Sequence, residues 1–271
     1  MPEHGQAERL GPLAANLQVV GALGLRSVRQ TFRRTQLMAP IIVFPTLLLA
    51  IQTGGAGSAI DLPGFPPVDS FLQFMLAGAM MQSLMLAGNS GGIAFAVDIE
   101  MGFTDRLFAA PISRFTIVLG RLAGTAALGA ISAVWFLLIG LLFGAPIETG
   151  LPGALWAIFL VTVSAMAVGG IGAAIALHTG SASIVQGLFP LVLVVLFLSS
   201  AFFPQELMVE PAKTIAEYNP LSLVVDGLRN PLISGFSAAE VGEALLAVAG
   251  IAALGLLLSA RALRHRLRTG G

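Results

Sequence analysis

Three consecutive stretches decide the fold: FLQFMLAGAMMQSLMLAGNSGGIAFAV (71–97), DIEMGFTDRLFAAPISR (98–114) and FTIVLGRLAGTAALGAISAVWFLLIGLLFG (115–144). About 20 apolar residues in a helix cross the roughly 30 Å hydrocarbon layer of a bilayer, and both outer stretches exceed that length. The stretch between them is short and charged. Two crossings joined by a polar connection describe a polytopic membrane protein.

Working outward, four more stretches meet the same criterion, at approximately 37–53, 151–177, 183–203 and 240–260. The six use about half of the chain, which leaves no room for a separate catalytic domain. The composition agrees. Of 271 residues, 56% are hydrophobic and 10% charged, against roughly 45–50% and about 25% in soluble domains. Zero cysteines exclude a disulfide scaffold, a thiolate metal site and a cysteine nucleophile. The expected class is all-α with six transmembrane helices.

Net charge is zero, which argues against nucleic acid as a partner, yet the charge is segregated. With residues 1–36 in the cytoplasm, twelve of the fourteen basic residues fall on the cytoplasmic side and only Lys213 and Arg229 on the other. Nine of the fourteen acids, from Asp61 to Glu243, lie outside. Both termini, including the basic tail 261–271, are therefore expected inside. Residues 1–12 show no secretory signal. Arginine outnumbers lysine thirteen to one, and with abundant alanine and glycine this suggests a GC-rich bacterial genome, so that the membrane spanned is expected to be a bacterial plasma membrane. Residues 12–36 read as an interfacial helix, with Arg26, Arg29 and Arg33 on one face and Leu25, Val28 and Phe32 as an adjacent apolar stripe.

The chain carries no motor. A phosphate-binding loop needs Gly-x-x-x-x-Gly-Lys-Ser/Thr, and the single lysine, Lys213, follows Pro211-Ala212. Ion-coupled carriers hold carboxylates or histidines within their spans, and the middles of these six hold none. Active transport by this chain requires energy from another polypeptide.

The connection 98–121 suits that need. Its charges favour a short amphipathic helix over about 99–109 with Leu107 and Phe108 on one side; Pro111 ends it, and Ser113 is placed to cap the next helix. Such a lever can receive a push from a soluble domain.

This segment resembles the signature of type-2 ATP-binding-cassette (ABC) permeases, membrane subunits of exporters including the daunorubicin-resistance type. Glu100, Gly102, Leu107, Pro111, Ser113, Arg114, Leu119 and Gly120 match its pattern, while Phe103, Asp105-Arg106, Ala110 and Arg121 depart from it. Phe202-Phe203-Pro204, Tyr218-Asn219-Pro220-Leu221-Ser222 and Asp226-Gly227-Leu228-Arg229 resemble the family's external segment.

The resemblance implies a coupling helix at 99–110 seated in an ATPase cleft, with Glu100, Gly102, Asp105, Arg106, Leu107, Pro111 and Arg114 as coupling residues. It implies an external gate of re-entrant helices at 205–236, with Phe202, Phe203, Pro204, Asn219, Pro220, Asp226 and Arg229 as gate residues. The permease domain is 37–260. Implied partners are two copies of an ABC ATPase, which bind the ATP and Mg, and a second permease copy in a homodimer. No cofactor is expected in this chain. The chargeless spans suggest an amphiphilic or hydrophobic substrate, a drug or lipid. Asp226 and Arg229 also read as a surface i, i+3 ion pair of little worth.

A rival reading is enzymatic. Gly88-Asn89-Ser90-Gly91 matches the Gly-x-Ser-Gly of intramembrane serine proteases, and Ser90 with His178 could make a nucleophile. The small residues Ala165, Gly169, Gly172, Ala173 and Ala176 read as a close-packing ridge. Met75, Met80, Met81 and Met85, with Phe189, Phe197, Phe202 and Phe203, are candidates for an adaptable apolar path.

Overall fold

A computed structural model of the chain describes residues 12–33, 35–102 and 114–269. Among the described residues there is no strand. Helix α1 (Pro12–Arg33) precedes α2 (Thr35–Ala56), α3 (Phe71–Glu100), α4 (Arg114–Leu142) and α5 (Leu151–Thr179). Two short helices, α6 (Ala182–Gly187) and α7 (Phe189–Phe197), lead to α8 (Ala212–Tyr218), α9 (Pro220–Ile233) and the long α10 (Ala238–Thr269).

Among the described residues, five helices are long and apolar enough to cross a membrane: those at 38–61, 71–100, 116–142, 151–179 and 238–264. The fifth expected crossing, 183–203, is different. It is helical only over Ala182–Phe197 and is interrupted at Leu188. Pro190 supplies no N–H for the turn before it, which accounts for the break. At 1.5 Å per residue the helical part rises only about 24 Å, short of a full layer.

Helix α3 is the central post, packed on by α2, α4, α5, α6, α7 and α9, and its apolar window is entirely buried. Ser70 caps it by accepting from Gln73 N (3.2 Å), and Gln73 Oε1 in turn accepts from Asp69 N–H (3.1 Å). The Gln73 Nε2 also donates to Pro146 O (3.2 Å), fixing the α4–α5 turn on this end. Phe74, Met80, Met81 and Leu84 fill the core around the post.

Helices α3 and α5 run parallel and touch through their small residues. A Cβ built on Gly92 would lie 2.8 Å from Gly172 Cα, and one on Gly169 would press on Leu122 and Thr125 at 3.1 Å. Ala165, Ala173 and Ala176 are buried in the same packing. The small-residue ridge is therefore a close-packing surface.

Helix α2 holds Pro40 and Pro45. Pro45 removes the donor that Ile41 O would otherwise accept, and Ser83 Oγ of α3 donates to that carbonyl instead (2.8 Å). The face of α1 that packs on α4 differs from expectation. It is formed by Leu23, Gly24 and Ser27, with Leu23 and Ser27 lying over Gly120 and Gly124. Leu25 is 53% exposed, Val28 is half-buried, and the Phe32 side chain is outside the described residues.

Candidate functional site

Arginine collects at one end of the bundle and carboxylates at the other. At the arginine end, α3 continues through Asp98 and Glu100, so residues 98–100 finish the helix and do not begin the connection. The helix stops because Gly102 takes φ +66, a left-handed conformation glycine adopts without strain, and donates to Ile99 O (2.9 Å). Of the expected coupling residues, Glu100 and Gly102 sit on this helix end. Asp105, Arg106, Leu107 and Pro111, Ser113 as a cap, and the side chain of Arg114 lie outside the described residues, as does all but the start of the helix expected over about 99–110, whose residues 99–100 belong to α3 instead.

Two contacts bind this end together. Asp98, fully buried, pairs with Arg121 of α4. Arg121 also donates to Ala94 O (3.2 Å) and to Gln30 Oε1 of α1 (3.4 Å), while Ser27 Oγ donates to Arg121 O (2.9 Å). One guanidinium thus joins α1, α3 and α4. The second contact runs from Glu100 to the broken crossing: its Oε1 accepts from Ala182 N at 2.8 Å. Arg26, Arg29 and Arg33 line an open groove of about 550 Å³ on α1, beside Leu25 and Gln30.

At the acidic end, α8 and α9 form a cap, and α9 grips the point where the broken crossing stops. Helix α7 ends near Phe197, which leaves its last carbonyls without intrahelical donors. Asn219 Nδ2 donates to Val195 O (2.8 Å) and Leu198 O (3.2 Å), and its Oδ1 accepts from Leu221 N (3.0 Å), capping α9. Arg229 Nη2 donates to Ser200 O (2.8 Å) and Ala201 O (3.0 Å). Its guanidinium lies 4.0 Å from the Phe74 ring centroid and 3.6 Å from Asp226 Oδ1.

Arg229 is 6% exposed whereas the Asp226 carboxylate is over a third exposed, so the expected surface pair is buried on its arginine side. Burial lowers the Arg229 pKa to about 10, with Asp226 opposing the shift. Burial also pushes Asp226 above its usual value, against the pull of Arg229 and the Ser200 hydroxyl, which donates to Oδ1 (3.1 Å). Trp156 Nε1 donates to Gly227 O (2.8 Å), anchoring α9 to α5. Phe202 is buried and stacked on Phe197 (4.7 Å), Phe203 is exposed, and Pro204 opens a short 3-10 turn.

Between the two ends lies an apolar cavity of about 380 Å³, bounded by α3, α5, α6, α7, α9 and α10. Met85, Ile171, Leu191, Val195 and Leu221 are among its walls, and Asn89 is the one polar side chain in its lining. No hydrogen bond among the described residues engages the Asn89 carboxamide. Of the methionines proposed for an apolar path, only Met85 reaches this space. Met75, Met80 and Met81 are sealed in the core, because α3 is surrounded on all sides.

Ser90 and His178 do not form a catalytic pair. With Gly92 opposite Gly172, Ser90 is level with about residue 170, and His178 lies roughly eight residues further, about 12 Å along the axis. The glycines around Ser90 serve packing. Among the described residues, no cluster of three or more His, Asp or Glu could hold a metal.

Sequence reasoning missed the roles of Asp98, Arg121, Ser200 and Trp156. Arg121 inside an apolar stretch was the available signal, since a guanidinium there demands a partner.

The sequence model of the family described as ABC-2 type transporter matches residues 18–233. The chain is 24% identical over 279 residues to the daunorubicin resistance ABC transporter permease protein DrrB1 of Streptomyces coeruleorubidus, covering 97% of each protein. It is 28% identical over 218 residues to the putative transport permease ycf38 of Porphyra purpurea, covering 79% of this chain and 73% of that one. The protein of the same name from Pyropia yezoensis is 27% identical over 217 residues, with the same coverage.

Proposed function

This chain belongs to the ABC-2 type transporter family, and we propose that it is the membrane half of an exporter that moves an amphiphilic or hydrophobic molecule, a drug or a lipid, outward. As a permease subunit it is not itself catalytic; ATP hydrolysis belongs to a separate ABC ATPase. In our reading two ATPase copies, holding ATP and Mg, act on a homodimer of this chain through the connection around 99–110. ATP binding closes the ATPases and biases the permease between two states, one of which opens the cap at 205–236. The segregation of arginine supports a bacterial plasma-membrane location with both termini inside.

The observation that carries the substrate class is the cavity. Its walls are apolar, and its single polar side chain, Asn89, has no hydrogen-bond partner among the described residues. A ligand with an apolar body and one hydrogen-bonding group suits that lining. The relative's link to daunorubicin resistance supports an efflux role.

The test uses inverted membrane vesicles containing this chain and its ATPase. They are expected to accumulate a fluorescent amphiphile when ATP is added, and Leu191→Trp, which fills the cavity, is expected to abolish the accumulation. ATP-dependent movement in the opposite direction, or unchanged transport by Leu191→Trp, would overturn the reading.

A further inference from the structure

We propose that Glu100 works inside this chain, as the link that carries movement of the 103–113 connection to the broken crossing α6–α7, and not as a contact for the ATPase. The inference rests on the export reading above.

The argument begins with a missing cap. A helix starting at Ala182 leaves its first amides without partners. Ser181 stands at the N-cap with extended backbone (φ −127, ψ 122), yet its side chain makes no capping bond. Its hydroxyl pairs with Ser183 Oγ instead (2.9 Å). The acceptor comes from another helix, as Glu100 Oε1 takes the Ala182 N–H at 2.8 Å. A carboxylate there also meets the positive end of the peptide dipoles.

Position gives the bond its consequence. Glu100 is the last residue of α3, and the chain leaves the helix at Met101–Gly102 toward the 103–113 connection. Displacement of that connection moves Glu100 before any other part of α3. Ala182 opens a crossing that is broken at Leu188 and held at its far end by Asn219 and Arg229. Val185, Leu188, Leu191 and Val195 of this same crossing line the cavity. A pull at Ala182 therefore reshapes the cavity and loads the cap. Asp98, two residues earlier, holds α1 and α4 in place through Arg121, so the two carboxylates at this end divide the work.

Substitutions from opposite sides of the bond test the assignment. Glu100→Leu removes the acceptor, and Glu100→Gln keeps an acceptor of the same reach. Ala182→Pro removes the donor at the first helical position, where proline is favoured, after a residue already extended. Each variant is purified with the ATPase and reconstituted. Glu100→Leu and Ala182→Pro are expected to retain the ATPase and its hydrolysis but to lose about tenfold or more in transport. Glu100→Gln is expected to stay within about threefold of wild type, and the double variant Glu100→Leu/Ala182→Pro to be no worse than either single change.

A readout independent of transport is amide hydrogen exchange over 181–188. Protection there falls in Glu100→Leu and is kept in Glu100→Gln. Loss of the ATPase on purification of Glu100→Leu, normal transport by Ala182→Pro, or unchanged exchange in Glu100→Leu would each overturn the proposal. A wild-type complex with no ATP-driven transport would sink the export reading instead, and the exchange result would still judge the bond.

Discussion

Replacing Arg229 by alanine tests the cap at its most heavily used residue. The side chain donates to Ser200 O and Ala201 O, lies over Phe74, and stands beside Asp226. Truncation leaves two carbonyls without those donors at about 1 kcal/mol or more each, and removes a desolvated cation–π contact worth about 1 kcal/mol. Asp226, over a third exposed, adds little to this, so the expected loss is about 3–5 kcal/mol, most of it from the carbonyls and the ring contact. Asp226→Asn should cost about 1 kcal/mol or less, because the carboxylate is over a third exposed and the pair is long.

Trp156 is a built-in reporter, since its indole binds Gly227 O in the same helix. In a Trp135→Phe background its emission follows release of α9 as purified protein is heated in detergent. Arg229→Ala is expected to lower the midpoint by roughly 10 °C and to shift the emission before global unfolding. Equal effects of Arg229→Ala and Asp226→Asn, or a shift below about 1 kcal/mol for the former, would refute the clasp as the cause of cap stability.

Three further outcomes follow from the packing. Gly172→Ala places a methyl 3.0 Å from Gly92 Cα and should cost about 1–3 kcal/mol, whereas Gly250→Ala, which meets nothing within 4 Å, should be neutral or slightly stabilising; thermal midpoints compare them. Asp98→Ala should destabilise by about 3–5 kcal/mol by leaving the Arg121 charge buried, and Asp98→Leu with Arg121→Met should recover most of the loss in a double-mutant cycle. Burial raises Asp226, so its contribution to the folded state is full below its ordinary pKa of 3.8 and is lost as pH rises through the raised value. Acidifying from about pH 6 to about pH 4 should therefore stabilise wild type relative to Asp226→Asn, as read by the same Trp156 melt.

Hydropathy located the five long apolar helices, four of them to within about three residues at each end, because 20 apolar residues in a row admit few alternatives; α10 runs on to Thr269, nine residues past its expected end. Hydropathy was blind to what happens at helix ends. Asp98 and Glu100 read as loop residues, since a carboxylate inside an apolar helix makes sense only once Arg121 and Ala182 are known to lie against it. The break in the fifth crossing was written in Gly187-Leu188-Phe189-Pro190, but a hydropathy window averages across a proline. Asn219-Pro220 does read as a helix start. That its amide also serves two carbonyls more than twenty residues earlier is tertiary information, as is the burial of Arg229.

These contacts share one physical cause. A hydrocarbon layer supplies no water to an orphaned backbone group, so irregular backbone persists there only where protein satisfies it. Pro45 frees Ile41 O, and Ser83 binds it; α7 stops short, and Asn219 takes Val195 O and Leu198 O while Arg229 takes the turn carbonyls of Ser200 and Ala201; at the exposed end α6 begins uncapped, and Glu100 accepts its amide. Each repair is a side chain borrowed from a neighbouring helix, and its net worth is on the order of 1 kcal/mol. A continuous helix resists bending along its whole length, but a crossing broken at Leu188 and held by such bonds can be re-seated by a force that trades one bond for another. The side chains that make these bonds therefore stand against the irregular segments, where one bond can be exchanged for another without bending a continuous helix.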